Sequence, residues 1–166
     1  MSNAVGCASV RVRNMRLADK TVLMDILHQT AEFTPAEVLV AQELVDAYLN
    51  DPVRSGYNVL VAGLDDAVVG YVCYGPTPLT KTTWDMYWIA VAPAEKRRGI
   101  GRSLFAAAED RIRDAGGRLT LIETSSKPEY RQTRKFHRSQ GYKLVNRIRN
   151  FYAPGDDRLT FQKLLG

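Results

Sequence analysis

The chain has little cysteine and little histidine. Cys7 and Cys73 are its two thiols, and His28 and His137 its two imidazoles. So few ligands, so far apart, exclude a disulfide framework and a zinc cluster, so no metal is expected. No apolar run approaches the ~20 residues of a membrane helix. The start, Met1-Ser2-Asn3-Ala4-Val5-Gly6-Cys7, lacks the basic and apolar regions of a signal peptide. Ser2-Asn3-Ala4 reads as a tag remnant, so residues 1–9 are expected to be disordered or tag-derived, with one domain over 10–166. Internal repeats and low-complexity tracts are absent. The expected location is cytoplasmic, with no membrane partner.

What is present is a globular composition, 45% hydrophobic and 25% charged over 166 residues. That length suits one domain able to bury a core. The net charge is +5 and the pI near 9.3. A basic domain suits phosphate-bearing partners, either nucleic acid or a cofactor. Net charge does not choose between them.

Period and punctuation give the order β-α-α-β-β-β-α-β-α-β-β. Val10–Met15 alternates as a strand, and Ala18–Gln29 has helical spacing of Val22, Leu23, Ile26 and Leu27. Thr34-Pro35 with Glu37 forms a capping box that opens a second helix, ended by Asp51-Pro52. Tyr57–Ala62 and Val68–Tyr74 read as a hairpin, and Trp84–Val91 as a strong strand. A helix runs from Arg98 or Gly99 to Ala115, ended by Gly116-Gly117. Leu119–Thr124 is a strand and Tyr130–Gln140 a helix, and residues 142–151 and 157–164 read as two closing strands. Such mixing argues for one layered α/β domain with a mixed sheet.

Between the strand ending at Val91 and the following helix lies Lys96-Arg97-Arg98-Gly99-Ile100-Gly101-Arg102. Glycine lets backbone N–H groups approach a ligand closely. A helix N-terminus adds unpaired donors and partial positive charge. Four cationic side chains, Lys96, Arg97, Arg98 and Arg102, surround this anion site, and a pyrophosphate is the natural guest. A P-loop is excluded because no Lys-Ser/Thr follows the second glycine. A dinucleotide fingerprint is excluded because Leu104 stands where the third glycine belongs and several residues separate strand from glycines. The plain alternative is a solvated helix start with some arginines.

This spacing resembles the Arg/Gln-x-x-Gly-x-Gly/Ala signature of the GNAT acetyltransferase superfamily, with Lys96 where Arg or Gln is usual. The resemblance extends from about Val10 to Leu164. Tyr87-Trp88-Ile89-Ala90-Val91-Ala92-Pro93 is similar to the family's fourth strand, and Phe136-His137-Arg138-Ser139-Gln140-Gly141-Tyr142 to its Phe/Leu-Tyr-x-x-x-Gly-Phe/Tyr segment. Within the family, the chain is loosely similar to ribosomal-protein alanine acetyltransferases and unassigned small-molecule relatives. The resemblance implies a single GNAT domain: a mixed sheet of about seven strands, splayed between the fourth and fifth, flanked by about four helices. It implies acetyl-CoA as the cofactor, held by the main chain of Ile89, Ala90 and Val91, by residues 96–102, and by a helix face carrying Tyr130, Arg134 and His137. Tyr130 stands in place of the usual Asn and His137 in place of the usual Tyr.

The implied activity is transfer of acetyl to a primary amine by direct attack on the thioester. The acceptor would be a small molecule or a peptide. Such a reaction needs a proton acceptor, a donor for the thioester oxygen, and help for the leaving thiolate. Glu123, at a strand end expected beside Ile89–Val91, is the candidate base. His137 is the candidate acid, with Tyr130 and Tyr152 as substitutes. Asp85, Tyr87 and Tyr152 are candidate acceptor contacts, with Phe33, Tyr48, Tyr57 and Trp84 as further aromatic candidates. Lys127, Arg131, Arg134, Lys135 and Arg138 form a basic stripe that could meet a phosphate or simply face water. Two other classes stay open. An acyl-CoA-binding module without turnover would suit the histidine at the tyrosine position. A nucleic-acid-binding domain finds no motif here, so no nucleic-acid partner is expected. The chain is expected to be a monomer or homodimer.

Overall fold

A computed structural model describes residues 9–166. Cys7 and the tag-like Ser2-Asn3-Ala4 lie outside the described residues. The strands are β1 (Val10–Asn14), β2 (Asn58–Leu64), β3 (Ala67–Pro76), β4 (Thr83–Val91), β5 (Leu119–Ser125), β6 (Lys143–Ala153) and β7 (Asp156–Leu164). The helices are α1 (Lys20–Gln29), α2 (Pro35–Asn50), α3 (Ile100–Asp114) and α4 (Arg131–Ser139). All seven strands form one sheet in the order β1-β2-β3-β4-β5-β7-β6. The β4–β5 pairing is parallel and the others are antiparallel.

The expected mixed sheet and four helices are thus present. The element edges follow local chemistry. The Thr34 hydroxyl accepts from Glu37 N–H, and the Glu37 carboxylate accepts from Thr34 N–H at 2.7 Å, so the capping box that starts α2 forms as read. The first helix begins later than Ala18. Leu17–Asp19 is a single tight turn, because the Asp19 carboxylate accepts from Arg16 N–H and from the Arg13 guanidinium before α1 starts. Tyr130 likewise sits in the tight turn Pro128–Tyr130, one residue ahead of α4, and not inside the helix.

The sheet divides the interior into two cores. α1 and α2 cover one face through Leu23, Leu27, Val38 and Val45 against Val59, Val61, Tyr71 and Cys73. On the other face lies α3, whose Ile100, Leu104, Phe105, Ala108 and Ile112 meet Leu60, Val72, Tyr74 and Phe161. Gly70 makes that approach possible: a Cβ there would lie 2.9 Å from Ala90 O and 3.3 Å from both Ile100 and Leu104. A buried polar group is set into the same core. Glu109, 5% exposed, accepts from Lys163 Nζ at 2.7 and 2.8 Å and from the Tyr142 hydroxyl. No described helix is long and apolar enough to cross a membrane.

Candidate cofactor and acceptor cleft

The cleft begins where β4 and β5 part. They pair only from Thr83↔Leu119 to Met86↔Ile122. At that point β4 carries an extra residue against β3: Tyr74 faces Met86 and Cys73 faces Trp88, leaving Tyr87 as a bulge. A bulge bends and twists its strand. It also puts two successive aromatics, Tyr87 and Trp88, toward the α1–α2 core, while Ile89 and Val91 pack toward the α3 core. β5 continues the other way, paired with β7 as far as Ser125↔Arg158. Glu123 is therefore the first β5 residue past the fork. It does not lie beside Ile89–Val91, as the sequence suggests, because the strands have already separated.

The far half of β4 has a free edge. Ala92 N–H donates to Val69 O at 2.8 Å. Alternation along an antiparallel ladder then turns the N–H groups of Val91 and Ile89 away from β3, into the fork. Just beyond β4, Arg97 and Gly99 both take left-handed conformations, with φ of 68° and 79°. That geometry suits Gly99 and strains Arg97, a cost of about 1–3 kcal/mol of the kind that collects at functional sites. The first bond of α3 runs from Ser103 N–H to Gly99 O at 3.0 Å. The N–H groups of Ile100, Gly101 and Arg102 therefore have no helical partner. A Cβ at Gly99 would meet nothing within 4 Å, whereas one at Gly101 would lie 3.1 Å from the Phe136 ring. Gly99 thus leaves open space in front of the free donors, and Gly101 allows α3 to start hard against α4. These features fit an anionic, extended ligand running from the β4 edge to the helix start.

The four cations of this loop are not equivalent. Lys96 Nζ lies 3.2 Å from Glu32 Oε1, and Arg98 pairs with Glu95. Arg97 and Arg102 have no carboxylate partner among the described residues. Arg134, an expected cofactor contact, donates to the carbonyls of Ser125 and Lys127, both at 2.8 Å. It ties the end of β5 to α4.

His137 departs furthest from expectation. It is 3% exposed, with its ring 5.9–6.0 Å from those of Phe105, Phe136 and Phe161, and its Nδ1 is buried without a partner. Burial holds it down to a pKa of about 4, so it is neutral at pH 7. This α4 face turns into the core, and the structure corrects the reading of His137 as a cleft acid and cofactor contact. Tyr130 is also committed elsewhere. Its hydroxyl donates to Glu37 of α2, and burial together with that carboxylate raises its pKa. Tyr130, Arg134 and His137 thus have separate surroundings: Glu37, the carbonyls of Ser125 and Lys127, and the aromatic core.

At the mouth, the Tyr152 and Glu123 side chains are about half-exposed, and Glu123 lies 3.4 Å from Arg158 Nε. Burial and then Glu123 raise the pKa of Tyr152, so its hydroxyl stays protonated at neutral pH. Tyr87 is pushed to about 12, mainly by burial, and packs edge-on to Tyr57. Asp85 lies on the same face of β4 but accepts from the Thr77 hydroxyl at 2.7 Å. Tyr48 and Trp84 serve packing: the Tyr48 hydroxyl reaches Met15 O and Trp84 lies against Gly117. Sequence reading did not single out Glu32, which meets Lys96, or Trp88, which meets Phe33, and saw Glu37 as a helix cap alone. Their partners Lys96, Phe33 and Tyr130 are distant in sequence, and no local spacing signals them.

A model of the Acetyltransferase (GNAT) family matches residues 23–142. Among curated proteins none matches the chain. Among solved structures, a protein assigned to the GNAT family of acetyltransferases from Desulfovibrio desulfuricans is 39% identical, with a TM-score of 0.91 over 95% of this chain and 100% of that one. The ribosomal-protein-alanine N-acetyltransferase of Brucella melitensis is 27% identical, with a TM-score of 0.76 over 93% of this chain and 99% of that one. An aminoglycoside 6′-N-acetyltransferase complexed with coenzyme A shares the fold at 17% identity, with a TM-score of 0.75 over 94% of this chain and 97% of that one.

Proposed function

The chain belongs to the acetyltransferase (GNAT) family, and from that footing we propose that it transfers acetyl from acetyl-CoA to a primary amine by direct attack on the thioester. The observation that carries this reading is the fork itself. The N–H groups of Ile89 and Val91 face away from β3, those of Ile100, Gly101 and Arg102 have no helical partner, and Glu123 stands at the branch point.

Acetyl-CoA supplies an activated carbonyl. The residues of this chain hold it and manage protons. Residues 97–102 receive the pyrophosphate through backbone N–H groups, with Arg97 and Arg102 adding charge. The β4 edge takes the pantetheine arm, and an N–H near Ile89 polarises the thioester oxygen. The amine nitrogen forms a bond to the carbonyl carbon while the C–S bond breaks. Glu123, through a water, takes the proton that the amine loses. The sulfur leaves as a thiolate, and a thiol of ordinary pKa, ~8.5, needs little acid help near neutral pH. A cleft acid at the position of His137 is therefore dispensable. Tyr87, Asp85 and Tyr152 border the acceptor.

The test is release of free thiol with a panel of amines, comparing wild type with Glu123→Gln. A fall in kcat of about 100-fold, with coenzyme A binding intact, is expected for loss of a general base. Full activity of Glu123→Gln would remove Glu123 from the role. A second reading, a binding module without turnover, draws on the burial of His137. It predicts tight coenzyme A binding and no thiol release with any amine.

A further inference from the structure

The α1–α2 turn and the first turn of α2 meet the surrounding elements at three places. Glu32 pairs with Lys96 of the anion loop at 3.2 Å, Phe33 packs edge-on to Trp88 of β4 at 5.3 Å, and Glu37 accepts from the Tyr130 hydroxyl at the start of α4. One short segment thus touches the cofactor loop, the strand before it and the opposite wall. Glu32 is the unusual member. One carboxylate oxygen faces the Lys96 ammonium, while Oε2 is shielded from solvent and has no donor. A half-satisfied, mostly buried carboxylate is costly. Lys96 is the cation that holds it in place.

Resting on the cofactor reading above, we propose that Glu32 competes with the cofactor for Lys96, and that its release couples filling of the anion loop to the acceptor side of the cleft. The charges require the exchange. A pyrophosphate in front of Gly99 brings negative charge toward the ammonium that Glu32 occupies, and the two anions repel across a partly desolvated gap. Lys96 turns to the phosphates. Glu32 is then left without its counter-ion, with one oxygen already unpartnered, and moves out toward water. Phe33 is the next residue, so the movement reaches Trp88, one residue before the thioester-binding position Ile89. In the cofactor-free protein, Glu32 is an internal anion that lowers cofactor affinity and holds the α1–α2 turn closed.

Calorimetric titration of coenzyme A into wild type, Glu32→Gln, Lys96→Met and the double variant tests the exchange. The pair is partly exposed, so the effect is modest: Glu32→Gln tightens binding about two- to fivefold. In the Lys96→Met background the same change gains clearly less, because only the direct repulsion of the two anions is then relieved. Unchanged or weaker binding by Glu32→Gln in the wild-type background overturns the proposal, as does an equal gain in both backgrounds. Hydrogen exchange provides the second readout. Amides of residues 30–34 exchange faster when coenzyme A is added to wild type, and are already fast in Glu32→Gln; protection that coenzyme A leaves unchanged overturns the coupling. If wild type does not bind coenzyme A at all, the cofactor reading fails and the exchange with it. That result is distinct from the ones above, because no variant then shows a titration.

Discussion

Lowering the pH from 7 to 4.5 tests the placement of His137 directly. An exposed histidine would charge on the way down and cost the fold nothing. Here the ring lies among Phe105, Phe136 and Phe161, 3% exposed, and burial lowers its pKa from 6.5 to about 4. The sign follows from proton counts: between those two values the unfolded chain binds a proton that the folded chain refuses. Stability is therefore complete above about pH 6.5 and falls as the pH drops toward 4. With those two pKa values, linkage gives a loss of about 2 kcal/mol between pH 7 and pH 4.5 from this residue alone. Carboxylates add their own acid losses, so the informative quantity is a difference. Urea unfolding of wild type and His137→Phe at half-unit steps of pH isolates it. Phenylalanine keeps an apolar ring in the slot and has nothing to titrate. Wild-type stability should fall by about 2 kcal/mol relative to the variant as the pH drops through this window. Parallel curves would show that His137 does not resist protonation and that its ring is not held in the aromatic core. The variant should also keep acetyl transfer within a fewfold, since the ring does not reach the cleft.

Other outcomes follow from the loop and the core. Gly99→Ala forces a side chain into a left-handed conformation at φ 79° without touching a neighbour. It should cost about 1–2 kcal/mol in unfolding experiments and weaken coenzyme A binding in calorimetry, because the loop's N–H groups shift. Gly101→Ala puts a methyl 3.1 Å from the half-buried Phe136 ring, which must give way by a few tenths of an ångström; the gain of about 1 kcal/mol from alanine in a helix opposes that crowding, so the melting temperature should move by no more than a few degrees. Lys163→Met removes the closest cation of Glu109 and leaves a carboxylate in the core beside Tyr142 and, at 3.6 Å, Arg113. A loss of about 2–3 kcal/mol is expected, below the range for a fully buried pair because Arg113 remains and Lys163 is partly exposed. Calorimetric melting measures it, and Glu109→Gln in the Lys163→Met background should recover part of the loss.

The geometry on which the cofactor proposal rests was legible in the sequence because its devices are local. A glycine that must take positive φ, a helix start whose first N–H groups are free, and a β-rich strand just before them all sit within about twenty residues, from Thr83 to Arg102. Even so, local spacing could not tell free cations from paired ones. Lys96 and Arg98 look identical to Arg97 and Arg102 until the fold brings Glu32 to the first and a tight turn brings Glu95 to the second. The proposed acceptor half rests on long-range meetings: Glu37 with Tyr130, Phe33 with Trp88, Glu123 with Arg158. His137 shows the same limit from the other side. A motif position implies a role only if the helix presents the same face, and a histidine is shorter than the tyrosine the pattern leads one to expect. Its ring sits in the aromatic core, where burial keeps it neutral. A substitution that deletes a reaching hydroxyl can be compatible with turnover when the leaving group is a thiolate, which carries its own charge near neutral pH. On the proposed reading, the demand on the site then rests on positioning, through the β4 edge and the donors of residues 100–102, and on one carboxylate at the fork.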